Sequence, residues 1–237
     1  MKNFLELAAR MALLAYSDTP VMDGFTICPF SAENIQGFAA RKDDDLWIVF
    51  CGTNDAEDWL DNLDARKEET GSGCVHAGFN QALDEVWDTV LSAINQTDWN
   101  CIHFVGHSMG GALAALAASR SAQIKMWMET YLWTFGQPRC GDSQWAEKMH
   151  FFIPKPSIRV LNAGDLVPHL PTCLRFTHAG LRIYFDHKGR PIKPTLWHRM
   201  SSGFKALVTH RKAALVTLQS HAMSQYLANV RKTLEEQ

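Results

Sequence analysis

The feature that most restricts this chain is Gly106-His107-Ser108-Met109-Gly110, a G-x-S-x-G pentapeptide set between an apolar run, Cys101 to Val105, and an alanine- and leucine-rich run from Ala112 to about Ala118. A serine on so sharp a strand-to-helix turn needs neighbours without bulk, and the two glycines let the backbone fold back while the hydroxyl stands clear. Gly111 adds a further close-packing position at the helix start, where backbone N–H groups favour developing negative charge. The setting predicts a nucleophile elbow with Ser108 at its apex.

The rest of the sequence supplies elements to match. Leu46 to Cys51, Tyr131 to Phe135 and Ile158 to Leu161 are β-rich runs, the first two stopped by Gly52 and Gly136. Apolar side chains at 79, 83, 86, 87, 90, 91 and 94 share one helical face. This alternation predicts an α/β fold with a central, mostly parallel sheet flanked by helices. Leu181 to Phe185, a turn at 186–189 and Arg190 to Lys193 read as a hairpin at the sheet edge. Helices are expected from about Phe204 onward, the last of them capped by Ser220. No repeat or Pro/Gly/Ser linker divides the sequence, so residues 1–237 read as a single domain.

Composition removes several function classes. An apolar share of 46% is enough for a sizeable core, which excludes disorder as the main theme. With 23 Lys+Arg against 25 Asp+Glu the chain lacks the positive excess that phosphate-backbone binding requires, so no nucleic-acid partner is expected. The longest apolar stretches, such as Met11 to Tyr16, fall short of the roughly 20 residues of a membrane span. Glu6 and Arg10 interrupt what would be a leader's apolar region, and Ala8, Ala9, Ala12, Leu13 and Leu14 read as a folded helix. The expected location is therefore cytoplasmic by default, with secretion by another route left open. Six cysteines without a C-x-x-C pair read as buried free thiols. His103 and His107 are four apart, but outside any helical H-E-x-x-H, so no metal site is expected and no cofactor is implied.

A serine hydroxyl needs a general base, itself oriented by a carboxylate, and behind such an elbow the chain order is Ser, acid, His. Asp142, Glu147, Asp165 and Asp186 are the acid candidates. Asp165 is preferred, because it lies four residues past the Ile158 to Leu161 run, where a loop can aim it into a site. Asp142 and Asp186 stand in turn contexts that explain them as caps. Six histidines follow, at 169, 178, 187, 198, 210 and 221. His221, at an element end, is the first choice for the base and His198 the second, while His169 and His178 read as backbone-bonding residues. His107 reads as packing beside the elbow. Oxyanion donors are expected from the Met109 backbone N–H and from the loop Gly52-Thr53-Asn54, where Thr53 offers N–H and hydroxyl.

Five motifs then stand in order: Val49-Phe50-Cys51-Gly52-Thr53, His76-Ala77-Gly78-Phe79, Gly106 through Leu113, Thr134-Phe135-Gly136-Gln137-Pro138-Arg139, and Asn162 through Pro168 with Leu170 and Pro171. From about Leu46 to Leu227 the chain resembles the class 3 lipases, the family of the fungal triacylglycerol lipases. The resemblance implies an α/β-hydrolase fold, Ser108, Asp165 and His221 as a triad, Thr53 and Met109 at an oxyanion hole, and a lipid or other ester substrate cleaved through an acyl-enzyme. It also implies a helical lid at about 54–66. Ala56, Trp59, Leu60 and Leu63 fall there at i, i+3, i+4 and i+7, with Asp55, Glu57, Asp58, Asp61 and Asp64 on the other faces. Cys51 departs from the arginine that family members often carry. A phospholipase A, a feruloyl-type esterase and a non-catalytic lipid- or partner-binding module are the alternative readings. Finally, residues 41–69 hold 4 basic and 10 acidic side chains and residues 186–237 hold 9 and 3, so the net charge of -2 conceals a split. That split raises the possibility of peripheral contact between the basic segment and a lipid surface.

Overall fold

Strands that are apolar on both faces must be covered on both faces, and here helices do the covering. The computed structural model describes residues 2–33, 35–53, 66–96, 99–126, 128–153, 155–172, 175–193 and 219–235. They form, in order, α1 (Lys2–Leu14), β1 (Thr26–Ser31), β2 (Gln36–Lys42), β3 (Asp45–Phe50), β4 (Lys67–Thr70), β5 (Gly73–His76), α2 (Ala77–Asn95), β6 (Cys101–His107), α3 (Met109–Ile124), β7 (Glu129–Phe135), α4 (Ser143–Phe152), β8 (Ser157–Asn162), β9 (Leu181–Phe185), β10 (Pro191–Ile192) and α5 (Met223–Glu235). The main sheet runs β1-β2-β3-β6-β7-β8-β9-β10. Its centre, β3 to β9, is parallel, and antiparallel pairs close both edges. The expected α/β architecture and the edge hairpin are present.

Period-two alternation divides the core. Leu46, Ile48 and Phe50 of β3, with Ile102 and Phe104 of β6, face one layer, where α2, α3 and α4 supply Leu83, Val90, Leu113, Leu116 and Trp145. Trp47, Val49, Val105, Trp133 and Phe135 face the other, against Ala8, Met11 and Ala12 of α1 and Tyr226 and Val230 of α5. α1 is thus part of the folded body. No described helix is long and apolar enough to cross a membrane.

Three elements differ from expectation. β1 and β2 arise from stretches with no strong apolar run; β1 carries Pro29 and is mostly exposed, which an edge strand tolerates. α4 buries only Trp145, Ala146 and Met149, too few to show as a period in the sequence. Ser220 is not the cap of the last helix: α5 begins at Met223, and Ser220 is itself helical, within residues 219–221, with its carbonyl accepting from Asn162 Nδ2 at 2.9 Å. The proposed lid residues Trp59, Leu60 and Leu63, and the helical pattern around Leu207 to Leu218, lie outside the described residues. Of the cysteines, Cys51, Cys101 and Cys140 are buried free thiols as expected, whereas Cys28 is exposed and Cys74 half-buried.

His103 sits in this core as an aromatic ring. It stacks 3.9 Å from Trp47 and 4.9 Å from Tyr131 by ring centroids. Its Nδ1 accepts from the Trp133 indole N–H at 3.1 Å, so its proton is on Nε2, which lies 3.2 Å from Cys101 Sγ. Burial pushes the imidazole pKa down to about 3. An imidazole neutral in the fold but free to charge when unfolded draws protons to the unfolded chain, so stability falls as pH drops below about 6.5 and continues to fall to about 3. His103→Phe should keep the stack while flattening the dependence of unfolding free energy on pH, by about 1.4 kcal/mol per pH unit between 6 and 4. Urea titrations across that range check it; identical slopes in the two proteins would show that His103 is not the linked group.

Candidate active site

Parallel strands deliver their following loops to one end of the sheet, and four such loops build the site. Ser108 follows β6, Gly136 follows β7, Asp165 follows β8, and Gly52-Thr53 follow β3. Ser108 has φ 55 and ψ -129, a conformation costly for a residue with a Cβ. It is held there by its own N–H donating to Phe135 O at 2.9 Å and its carbonyl accepting from Gly111 N at 2.9 Å. A Cβ on Gly106 would collide with the Gly110 backbone, and one on Gly110 with the Phe50 and Cys51 carbonyls. That close approach is the physical reason for both glycines.

The structure brings Asp165 and His221 together. His221 Nδ1 lies 2.9 Å from Asp165 Oδ2, and the two are 5% and 1% exposed. The same oxygen accepts the Tyr226 hydroxyl at 2.5 Å, and Oδ1 accepts the Val167 N–H at 2.9 Å. Burial and the adjacent carboxylate push the Tyr226 phenol well above its usual range, so it donates. Asn162, at the end of β8, completes the frame: its Nδ2 donates to Ser220 O, and its Oδ1 accepts Asn229 Nδ2 at 2.9 Å. A Cβ on Gly136, itself at φ 58, would come within 3.0 Å of both Asp165 and His221, so β7 backs directly onto the pair.

With Nδ1 engaged by the carboxylate, His221 Nε2 is left with a lone pair. Among the described residues, His221 Nε2, Ser108 Oγ and Thr53 Oγ1 are buried side-chain atoms without a hydrogen-bond partner. A buried polar group without a partner is costly, and such groups concentrate where a ligand completes them. Met109, the first residue of α3, adds a backbone N–H of the kind that helix starts leave without an intrahelical acceptor.

The other acid candidates have separate duties. Asp142 Oδ1 caps α4 by accepting Trp145 N at 2.9 Å, Glu147 is exposed, and Asp186 binds the backbone of Lys188 and Arg190 within its turn. His178 Nε2 donates to Pro168 O at 2.8 Å, and His187 lies exposed in the turn. His198 and His210 lie outside the described residues. Cys51, in place of the family's arginine, is buried, its thiol facing Gln36 Nε2 at 3.7 Å and pushed up to about 11 by burial.

Two contributors were missed in sequence. Tyr226 is marked only by standing five residues past His221, and nothing in the sequence singles out Tyr16. Its hydroxyl lies 2.6 Å from Nδ1 of His107, whose Nε2 lies 2.6 Å from His221 O. Asp45, Cys101 and His103 also bring donor atoms within 4.8 Å of one another, at the opposite end of β6. The indole N–H at His103 Nδ1 leaves the proton on Nε2, the nitrogen facing the cysteine, which is the wrong polarity for a metal ligand.

Comparison with known proteins identifies the family and the fold. The model of the family Lipase (class 3) matches residues 47–175, more than half of the chain's 237. A lipase of Rhizomucor miehei is 33% identical over 154 residues, covering 60% of this chain and 42% of that protein. A secreted mono- and diacylglycerol lipase of Fusarium solani is 31% identical over 142 residues, covering 56% and 40%. The chain thus spans less than half the length of these curated relatives. The structure of Rhizomucor miehei triacylglyceride lipase superposes with a TM-score of 0.72 at 24% identity over 80% of this chain and 82% of that one, which establishes the α/β-hydrolase fold. A triacylglycerol lipase whose catalytic centre is a serine protease triad gives 0.70 at 26% identity, over 77% and 79%.

The cytoplasmic expectation is corrected by these relatives, since the Fusarium solani protein is a secreted lipase and the comparison points outside the cell. It had rested on residues 2–14 forming a folded helix, and the packing of α1 says how that segment folds, not how the chain is sorted. The five motifs, the elbow they frame and the matching family model have one conclusion: the chain belongs to the class 3 lipases.

Proposed function

We propose that the chain is a serine carboxylic-ester hydrolase of lipid esters such as acylglycerols. The observation that carries this reading is the buried His221–Asp165 pair at 2.9 Å, on a sheet end that also carries Ser108 at a strained elbow. In this reading Ser108 Oγ attacks the ester carbonyl while His221 Nε2 takes its proton. The oxygen that gains charge is held by Thr53 and by the Met109 N–H. His221 then protonates the departing alcohol, and water, deprotonated by the same nitrogen, releases the acid from Ser108. Asp165 keeps the imidazole in the Nδ1–H tautomer and stabilises its charged form. The reading treats residues 1–237 as one hydrolase unit with about 54–66 as its lid, where Trp59, Leu60 and Leu63 would face the acyl chain.

A second substrate class has one observation in its favour, the acidic and only modestly apolar lid sequence, which suits a phospholipid or an aromatic ester as well as a triglyceride. Hydrolysis rates over a series of acyl lengths, below and above substrate solubility, decide it. A triglyceride lipase with a working lid gives a jump in rate at the interface, whereas a smooth saturation curve selects the esterase. The basic balance of residues 186–237 supports peripheral contact with anionic lipid, so binding to vesicles containing an anionic phospholipid should weaken between 50 and about 500 mM salt as the charges are screened. Salt-independent binding, or none, removes that contact from the reading.

Ser108→Ala should abolish fluorophosphonate labelling and ester hydrolysis, and Asp165→Asn should lower kcat by about 10⁴-fold by allowing the wrong tautomer. Full activity in the Ser108 variant overturns the assignment.

A further inference from the structure

His107 occupies the variable second position of the elbow, yet it is wholly buried, and both ring nitrogens are engaged by groups distant in sequence. Nε2 lies 2.6 Å from the backbone carbonyl of His221. A carbonyl only accepts, so Nε2 carries a proton. Burial and the neighbouring His221 hold the ring's pKa well below the ordinary histidine value, which keeps it neutral and leaves Nδ1 as an acceptor. The Tyr16 hydroxyl, at 2.6 Å, therefore donates to Nδ1. Tyr16 lies just past α1, and burial pushes its phenol up, with the Cys51 thiol adding to the shift and a backbone hydrogen bond from Gly52 acting the other way.

The hydrogen bonds thus run in one direction, from the Gly52 backbone beside Thr53, through Tyr16 and His107, to the carbonyl of His221. The ring of His107 packs 4.6 Å from that of His221 and edge-on to Tyr226 and Tyr16, each at 5.8 Å. Among the described residues, the carboxylate joined to this group is Asp165, on the far side of His221. His221 is consequently fixed at two points, by Asp165 at its ring and by His107 at its backbone. One partner orients the imidazole about its side-chain bonds, and the other sets where the Cα stands relative to Ser108, the residue next to His107.

We infer that His107 is a positioning residue for the general base, and that Tyr16, by donating to Nδ1, locks it in the Nε2–H tautomer that can hold the His221 backbone. The inference rests on the hydrolase reading above. A ring with the other tautomer would turn a lone pair toward the carbonyl and push His221 away. A charged ring would set a cation beside the imidazolium that forms as Ser108 gives up its proton. Both faults act on the transition state rather than on substrate binding, so they lower kcat more than they raise KM.

Kinetics on a soluble chromogenic ester test it, with fluorophosphonate labelling of each protein and its thermal midpoint measured alongside. His107→Leu should lower kcat about 30-fold or more, with KM within about twofold. His107→Gln, whose amide nitrogen can donate to the same carbonyl, should recover at least a third of the wild-type value. Tyr16→Phe, which touches neither nucleophile nor base, should lower kcat about 3- to 10-fold at an unchanged KM. Wild-type kcat in His107→Leu overturns the inference, as does equal loss in folded His107→Gln and His107→Leu. If His107→Leu does not fold, the Tyr16→Phe result decides, and wild-type kcat there overturns it. A wild-type protein that neither reacts with the probe nor cleaves esters overturns the hydrolase reading itself, and the inference with it.

Discussion

A carboxylate with 1% exposure is costly to bury unless its oxygens are hydrogen-bonded, and the arrangement of this molecule around Asp165 follows from that requirement. Its oxygens take three donors, from His221, Tyr226 and the Val167 backbone, and these come from the helical residues 219–221, α5 and the loop after β8. Satisfying the charge therefore pins the last described helix against the sheet. Asn162 reinforces the same junction with bonds to Ser220 and Asn229. Removing one donor would unbalance a closed set, which makes this junction a cooperative unit rather than a sum of contacts.

Strain and satisfaction are distributed in opposite ways across the site. Ser108 stands in an unfavourable backbone conformation with its hydroxyl unbonded, while both carboxylate oxygens of Asp165 are occupied. The fold holds both because β6 is buried on both faces and locked between β3 and β7. Rigid strands fix where the elbow turns, and the loops at their carboxyl ends then need only short excursions to converge.

The sequence disclosed what is local. The elbow was legible because two glycines and two apolar runs must be adjacent for the turn to close, and Asp165 because it follows a strand at loop distance. Asp142 and Asp186 were recognised as caps for the same reason. What could not be read is what depends on approach through space: the Tyr16 hydroxyl meets an imidazole 91 residues away, and His107 meets a carbonyl 114 residues away. No periodicity encodes such pairs. β1 was invisible because an edge strand can carry a proline and stay mostly exposed, and β2 because Gln36-Gly37-Phe38-Ala39-Ala40-Arg41-Lys42 contains no strong apolar run. Cellular location was misread because the folding of α1 is a separate matter from the sorting of the chain.

The order in which the parts meet along the chain has a consequence for synthesis. The elbow is made from β6 and α3, neighbours in sequence, and β7, whose Phe135 carbonyl holds Ser108, follows directly, so all three leave the ribosome well before residue 221. His221, the base proposed above, belongs to a segment made more than a hundred residues after Ser108, when the strands of the sheet have already been made. On the hydrolase reading, a nascent chain thus carries Ser108 before its proposed proton acceptor has been made. On that reading the site is complete only once the segment that carries His221 has docked, and a product ending before it would lack both the proposed base and the α5 side chains of one core layer.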